Sequence, residues 1–108
     1  MNDLKFKVLS LKAASRKKDY FRVTLDNGDK YNFHGKSITR YNIKEDKSIE
    51  NKVIHKALDH TERENIRYKI ILLLSFRQRS KKELKDSFVS KGYKIDNVLD
   101  VIKELEQR

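Results

Sequence analysis

Two clusters of basic side chains have residue types and a spacing suited to binding an anion. One is the consecutive run Arg16, Lys17 and Lys18. The other starts with two arginines and continues with lysines, and it comprises Arg77, Arg79, Lys81, Lys82, Lys85 and Lys91. Guanidinium groups form bidentate hydrogen bonds with phosphate or carboxylate oxygens, whereas lysine ammonium groups act as mobile point charges. Both clusters therefore predict contacts to phosphates or to an acidic protein surface, although a solvated surface is the plain alternative for each.

The sequence contains no recognisable motif for catalysis or metal binding. The sequence has no cysteine, and its histidines are His34, His55 and His60. His55 and His60 are five residues apart, which places them on different faces of a helix, and no carboxylate–histidine pattern supports a metal site. Ser80 and Glu83 have the spacing of a helix cap, so we expect Ser80 to be structural rather than nucleophilic. Because no Ser/His/Asp order and no glycine-rich phosphate loop is present, we expect no enzymatic activity and no cofactor.

The charge of the whole chain also favours an anionic partner. The 108 residues carry 26 Lys and Arg against 16 Asp and Glu, a net charge of +10. The excess lies in residues 1–44, with 11 basic and 4 acidic groups, and in residues 67–94, with 9 and 2. Such a balance attracts nucleic acid, acidic protein or anionic lipid. A general lysine enrichment from an AT-rich genome is the alternative explanation.

Composition excludes disulfide-stapled, secreted and membrane-spanning classes. The absence of cysteine is typical of a reducing compartment. The longest apolar run is Ile70–Leu74, which has five residues, whereas a membrane span needs roughly 20. Met1 is followed by polar and charged residues rather than by an apolar secretion segment. We therefore expect a cytoplasmic monomer without a membrane partner.

Alternation of apolar and polar residues predicts strands in the amino-terminal part. The pattern slips by one residue between Val8 and Leu9, and the slip predicts a β-bulge or a strong local twist. Asn27-Gly28 between two alternating runs predicts a hairpin. We therefore predict a three-stranded antiparallel meander in residues 1–45, with the first basic cluster in its first loop. A meander of that size must lay its apolar face on helices.

Helical spacing replaces the alternation after residue 45. Apolar residues from Ile49 to Leu58 predict a first helix that Asp46 or Ser48 caps. Thr61 and Glu64 have the spacing of a capping box, which predicts that a second helix begins there.

Two more helices complete the predicted fold. Ser80 and Glu83 repeat the capping box and open a third helix, and Gly92 ends it with a left-handed residue. A final apolar stripe predicts a fourth helix. The predicted fold class is α+β, with a helical part in residues 46–108 that ends in a three-helix repeat at about residues 61–108.

One specific pattern joins the second basic cluster to the last two helices. Its residues are Arg77, Arg79, Ser80, Glu83, Leu84, Lys91, Gly92, Val101, Ile102 and Leu105. In this order the sequence resembles the first helical repeat of the RecX family of recombination regulators, in which an L-S-x-R-x-R-S-x-x-E-L pattern precedes a Lys-Gly pair and a V-I-x-x-L pattern. A hairpin segment with an Asp-x-Gly turn also precedes the helices in that family, so the resemblance covers about residues 20–108.

The resemblance implies a regulator of RecA-mediated recombination and repair that binds RecA and its filament on DNA, usually inhibits it, and uses no cofactor. Family members usually contain three tandem three-helix repeats, with an aspartate-rich linker and two repeats beyond the position of Arg108. We therefore expect either an amino-terminal fragment of a longer protein or a short natural variant. We expect the basic clusters to contact DNA phosphates without sequence specificity or acidic loops of RecA.

Two other functions also fit the residues. The helix at residues 80–91 follows another helix after a short turn, as in helix-turn-helix DNA-binding modules. A protein-interaction domain that never touches nucleic acid is the second alternative. A domain that contacts DNA phosphates should bind nucleic acid with an affinity that falls steeply as salt is raised, whereas a pure protein-interaction domain should not.

Overall fold

A computed structural model describes residues 4–74 and 80–107. The elements follow the order β1 (Lys5–Ala13), β2 (Tyr20–Leu25), β3 (Lys30–His34), α1 (Gly35–Arg40), β4 (Ser48–Glu50), α2 (Asn51–Leu74), α3 (Lys81–Ser90) and α4 (Ile95–Glu106). The chain divides into two compact units, Met1–Thr61 (unit 1) and Glu62–Arg108 (unit 2). The predicted α+β class is correct in this coarse form. Within the described residues, no helix is both long and apolar enough to cross a membrane.

The sheet of unit 1 has four antiparallel strands in the order β3-β2-β1-β4, so the prediction of three strands is wrong. The additional strand, β4, pairs Ile49 with Phe6. Ile49 is buried, at 5% exposure, against the sheet core. Its spacing from Val53 also fits a helix, which is why the sequence predicted a helix through it. The helix begins only at Asn51.

The predicted bulge in β1 is confirmed. Val8 pairs with Leu25 and Ser10 with Thr24, so Leu9 is an extra residue opposite the β2 ladder. The slip keeps apolar side chains on one face, because Val8 lies in the core and Leu11 packs against it. Leu9 itself is 53% exposed. Without the extra residue, strict alternation would place Leu11 on the opposite face from Val8.

The predicted hairpin between β2 and β3 is also confirmed. The backbone N–H of Gly28 donates to the Leu25 carbonyl at 3.0 Å, and the Leu25 N–H donates to the Asp29 carbonyl at 2.9 Å. Gly28 has φ +91°, a value that L side chains rarely adopt. The side chain of Asn27 also stabilises the turn, because its Oδ1 accepts a hydrogen bond from the Asp29 N–H at 3.0 Å.

The prediction that Thr61 opens a helix is wrong, because Thr61 lies inside the continuous helix α2. Residues 51–74 contain no glycine or proline that would interrupt a helix. The Thr61 hydroxyl donates to Ser37 Oγ at 2.9 Å and accepts from the His34 backbone N–H at 3.1 Å. Ser37 is fully buried in α1, and its Oγ lies 2.7 Å from His60 Nδ1. The hydroxyl of Thr61 therefore joins α2 to α1 and to the end of β3.

Unit 2 confirms the predicted ends of α3. The Ser80 hydroxyl accepts from the Glu83 backbone N–H at 3.1 Å, which is the expected cap. Gly92 has φ +97°. The N–H of Gly92 donates to the Val89 carbonyl and that of Tyr93 to the Phe88 carbonyl, at 3.0 and 3.2 Å, as in a Schellman motif.

The core of unit 2 contains the apolar stripes that the sequence indicates. Its buried side chains come from α2, α3 and α4, and they are Ile66, Ile70, Leu84, Phe88, Val98, Val101 and Ile102. The predicted three-helix repeat is matched only in part, because its first helix is the continuation of α2 and not a separate element. Unit 2 thus has a small apolar core that α2, α3 and α4 share.

Candidate nucleic-acid interface

The first basic cluster lies in the loop between β1 and β2, as predicted. Arg16, Lys17 and Lys18 are all exposed. The loop is closed by the Ala14 N–H, which donates to the Tyr20 carbonyl at 2.9 Å. Asp19 ends it with φ +69°, a left-handed conformation that aspartate tolerates. The three cations therefore project from a tied loop rather than from a loose one.

Lys17 is held over an aromatic ring of the sheet. Its Nζ lies 4.1 Å from the centroid of the Tyr20 ring. The Tyr20 ring meets the His34 ring edge to face, with centroids 5.2 Å apart, and the two residues are register partners on β2 and β3. A cation over a ring at an exposed site stabilises by about 0.5–1 kcal/mol. The contact fixes the direction of the loop toward the sheet face on which Tyr20 lies.

The second cluster is only partly available for a ligand. Lys81 Nζ lies 2.6 Å from Glu106 Oε1 and Lys85 Nζ lies 3.8 Å from Asp86 Oδ1. Lys82 is exposed in the first turn of α3 and forms no ion pair with a described residue. Two of the three α3 lysines therefore already have carboxylate partners.

The remaining members of the second cluster are Lys91, Arg77 and Arg79. Lys91 caps the carboxyl end of α3, and its Nζ lies 5.8 Å from the centroid of the Phe88 ring. Arg77 and Arg79 lie outside the described residues. Since the amide of Glu83 is bonded to Ser80, the α3 amides left for an anion are those of its first two residues.

A third group of cations, which the sequence analysis did not identify, lies on the open face of the sheet. We call it the basic sheet face, and it consists of Lys5, Lys7, Lys12, Arg22 and Lys30. All five side chains are exposed, and their register neighbours on this face include Ser10, Thr24 and Asn32. The opposite face of the same strands carries the unit 1 core.

The bulge in β1 creates this grouping. Lys5 and Lys7 precede the bulge, and Lys12 follows it. Under strict alternation Lys12 would lie on the face opposite to Lys5 and Lys7. The extra residue Leu9 reverses the phase, so that Lys12 stands directly opposite Arg22 in the ladder. The signal for this surface was therefore present in the sequence, but it required the pairing register as well as the slip.

No described carboxylate forms an ion pair with a member of the basic sheet face. Glu50 is the one acidic residue in the four described strands, and its Oε2 contacts Lys52 at 3.5 Å. Lys12 and Arg22 are exposed cations in directly opposite positions, an arrangement that destabilises a sheet unless a counter-anion binds.

Arg67 in unit 2 shows the opposite use of a cation. Its Nε donates to Glu104 Oε2 at 2.6 Å and its Nη1 donates to Glu64 Oε1, which joins α2 to α4. Burial lowers the pKa of Arg67, but the hydrogen bonds to Glu104 and Glu64 outweigh it and hold the pKa above its ordinary value. This guanidinium is a structural clamp.

Comparison with known proteins shows a likeness in structure. No family model matches the chain, and no curated protein matches it in sequence. The crystal structure of regulatory protein RecX superposes with a TM-score of 0.72 at 13% sequence identity, over 94% of this chain and 50% of that chain. The chain therefore has a RecX-like fold, which confirms the predicted resemblance at the level of the fold. It spans half the length of that RecX chain.

Proposed function

We propose that this protein is a RecX-type regulator of RecA-mediated recombination and repair, which binds the RecA–DNA filament and inhibits it. The observation that supports this most is the likeness to regulatory protein RecX across 94% of the chain. The sequence pattern that resembles the first RecX repeat supports it independently, because that pattern is read from residue types rather than from the fold.

The proposed contacts are those cations of the two clusters predicted from the sequence that are exposed and contact no described carboxylate. In unit 1 these are Arg16, Lys17 and Lys18 of the β1–β2 loop. In unit 2 they are Lys82, in the first turn of α3, and Lys91 at its end. Arginine and lysine at such positions bind DNA phosphates or acidic protein loops without reading sequence.

Lys81 and Lys85 contribute less in this proposal. Each contacts a carboxylate, of Glu106 and Asp86 respectively, so binding of a phosphate has to replace an existing ion pair. The gain from such an exchange is small at an exposed site. Arg77 and Arg79 remain part of the proposed contact set on the basis of their position in the family pattern.

In this proposal the protein inhibits RecA by occupying binding surfaces of the filament. A protein held along the filament by several phosphate contacts alters subunit exchange and blocks access by other ligands of the filament. No catalytic step is needed, and a charge-assisted surface of this kind associates rapidly, with rates that depend on ionic strength.

The test is ATP hydrolysis by RecA on single-stranded DNA with increasing amounts of the purified chain. We expect a concentration-dependent decrease in the rate. The variant Arg16→Glu/Lys18→Glu should lose most of the inhibition, because it converts two attractive contacts into repulsive ones while leaving the Lys17–Tyr20 contact in place.

A second variant, Lys82→Glu, tests the helical contact without harming the fold. A carboxylate in the first turn of a helix interacts favourably with its dipole, so the far-UV circular dichroism should stay unchanged. Weaker inhibition by this variant supports a contact at α3. An ATPase rate that stays constant with the wild-type chain at every concentration would rule out the proposed function.

A further inference from the structure

We infer that the basic sheet face is a binding site for the sugar-phosphate backbone of DNA, occupied without sequence preference. Its five cations are not members of the loop and helix clusters that the sequence indicated. It rests on the proposed function only in taking DNA as the polymer, because the charge pattern itself calls for a repeating anion.

The first step of the inference is the fixed geometry of the five cations. Lys12 and Arg22 face each other across β1 and β2, and Lys30 lies opposite Thr24 one row away. Rows on one face of a strand are about 7 Å apart. A ladder held by backbone hydrogen bonds presents its charges in a set array, so that binding a repeating anion does not require the backbone to be ordered first.

The second step is the lack of internal compensation. The five side chains are exposed, and none forms an ion pair with a described carboxylate. Opposite charges are favoured at facing positions of a sheet, yet Lys12 faces Arg22. The repulsion between these two like charges lowers the stability of the sheet, and an anion bound between the two side chains removes that repulsion.

The third step is the continuity of the surface with the β1–β2 loop. Tyr20 and His34 form the row beyond Arg22 and Asn32. Lys17 lies over the Tyr20 ring at 4.1 Å, so the loop cations extend the same face. The short polar side chains of Ser10 and Thr24 lie between the charged ones. A backbone lying across the face therefore meets cations at its middle and at its loop end.

The chemistry of this face favours phosphate over base recognition. The one aromatic ring of the outer face on β2, Tyr20, is half-buried and has Lys17 above it. Base-stacking platforms need an accessible ring face. Binding should therefore be independent of sequence and strongly dependent on salt.

The experiment measures binding of the full chain to a fluorescein-labelled oligothymidylate by anisotropy over a range of salt concentrations, with no RecA present. We expect Lys12→Gln/Arg22→Gln to weaken binding about tenfold near 0.1 M salt. The slope of log K against log salt should become shallower by roughly 1.4, since each lost phosphate contact on a single strand contributes about 0.7. A mixed-sequence oligonucleotide should give the same affinity as oligothymidylate.

The matched control is Lys44→Gln/Lys56→Gln, which removes the same charge from unit 1 at exposed positions outside the sheet. It should change the affinity less than twofold and leave the slope unchanged. The sheet variant should keep or exceed the wild-type melting temperature, because it removes a facing pair of like charges; a merely structural role would lower it.

Equal losses in the two double variants would overturn the inference, since net charge alone would then explain binding. An unchanged salt slope in the sheet variant would also overturn it. Because the assay contains DNA alone, such a failure leaves the RecA ATPase test of the proposed function independent, and a failure of the ATPase test leaves this one intact.

Discussion

Units 1 and 2 carry a similar excess of positive charge but use it differently. Unit 1 has 14 Lys and Arg against 8 Asp and Glu, and unit 2 has 12 against 8. In unit 2 the cations of Arg67, Lys81 and Lys85 contact carboxylates. In unit 1 the basic sheet face has no such contact among the described residues. Net charge therefore only favours an anionic partner, whereas pairing distinguishes the cations that contact carboxylates from those that do not.

The strongest way to break this contrast is to remove the Arg67 clamp. The Arg67 side chain is 18% exposed and that of Glu64 only 10%. Arg67→Met removes the guanidinium that contacts both Glu64 and Glu104, so we expect the free energy of unfolding to fall by about 3 kcal/mol. Urea unfolding followed by circular dichroism at pH 7 measures this loss. DNA affinity should stay within twofold of wild type in conditions where the variant is folded.

The pH dependence of the same variant has a defined sign. The raised pKa of Arg67 means that its stabilising contribution is complete at neutral pH and is lost only in strongly alkaline solution. In Arg67→Met that contribution is absent at every pH, so the stability deficit relative to wild type should stay constant between pH 7 and pH 9. A deficit that shrinks over this range would contradict the assignment of the clamp.

Neutralising the loop of unit 1 sharpens the contrast from the other side. We expect Arg16→Gln/Lys17→Gln/Lys18→Gln to weaken oligothymidylate binding about tenfold near 0.1 M salt, because phosphate contacts are lost. Its melting temperature should fall only by the small amount due to the lost Lys17–Tyr20 contact, since the backbone bonds of Ala14 and Tyr20 still close the loop. An unchanged Kd by anisotropy would show that these cations are only solvated.

The facing cations of the sheet give a smaller effect with the opposite sign. Lys12→Gln removes like-charge repulsion at a directly opposite position, so we expect the free energy of unfolding to rise by about 0.5 kcal/mol. Thermal unfolding at low salt shows the gain most clearly, because added salt screens the repulsion. A lower melting temperature in Lys12→Gln would mean that Lys12 stabilises the sheet rather than serving a ligand.

The smallest effect is expected at the exposed ion pair of α3. Lys81 is 70% exposed and Glu106 is 40% exposed. We expect Lys81→Gln to lower the free energy of unfolding by only about 0.3 kcal/mol, as for other surface pairs. Chemical denaturation of both proteins measures the difference, and a loss as large as that of Arg67→Met would show that the two kinds of contact are equivalent.

The local elements of the fold were predictable because their signals are local. The bulge after Val8, the turn at Gly28 and the left-handed residue Gly92 each follow from residue type and from a short pattern. β4 and the continuity of α2 were not predictable in this way. Ile49 fits a strand and a helix equally well, and the Thr61–Glu64 spacing describes a cap only when the hydroxyl has no tertiary partner.

The sequence predicted that the candidate site is positively charged, but not which cations lie together on one surface. The exposure of Arg16, Lys17 and Lys18 follows from their position in a loop. The ion pair between Lys81 and Glu106 spans 25 positions of sequence, and the juxtaposition of Lys12 and Arg22 depends on the ladder register. Both arise from tertiary structure, so helical or strand periodicity within one segment gives no information on them.

The most direct test compares two charge-matched variants in the RecA ATPase assay on single-stranded DNA. Arg16→Gln/Lys18→Gln removes two unit 1 cations that contact no described carboxylate, and Lys81→Gln/Lys85→Gln removes two carboxylate-paired cations from unit 2. We predict that the wild-type chain slows ATP hydrolysis, that the first variant loses most of this inhibition, and that the second retains it. The reverse order, with the unit 2 variant inactive and the unit 1 variant fully inhibitory, would contradict the account.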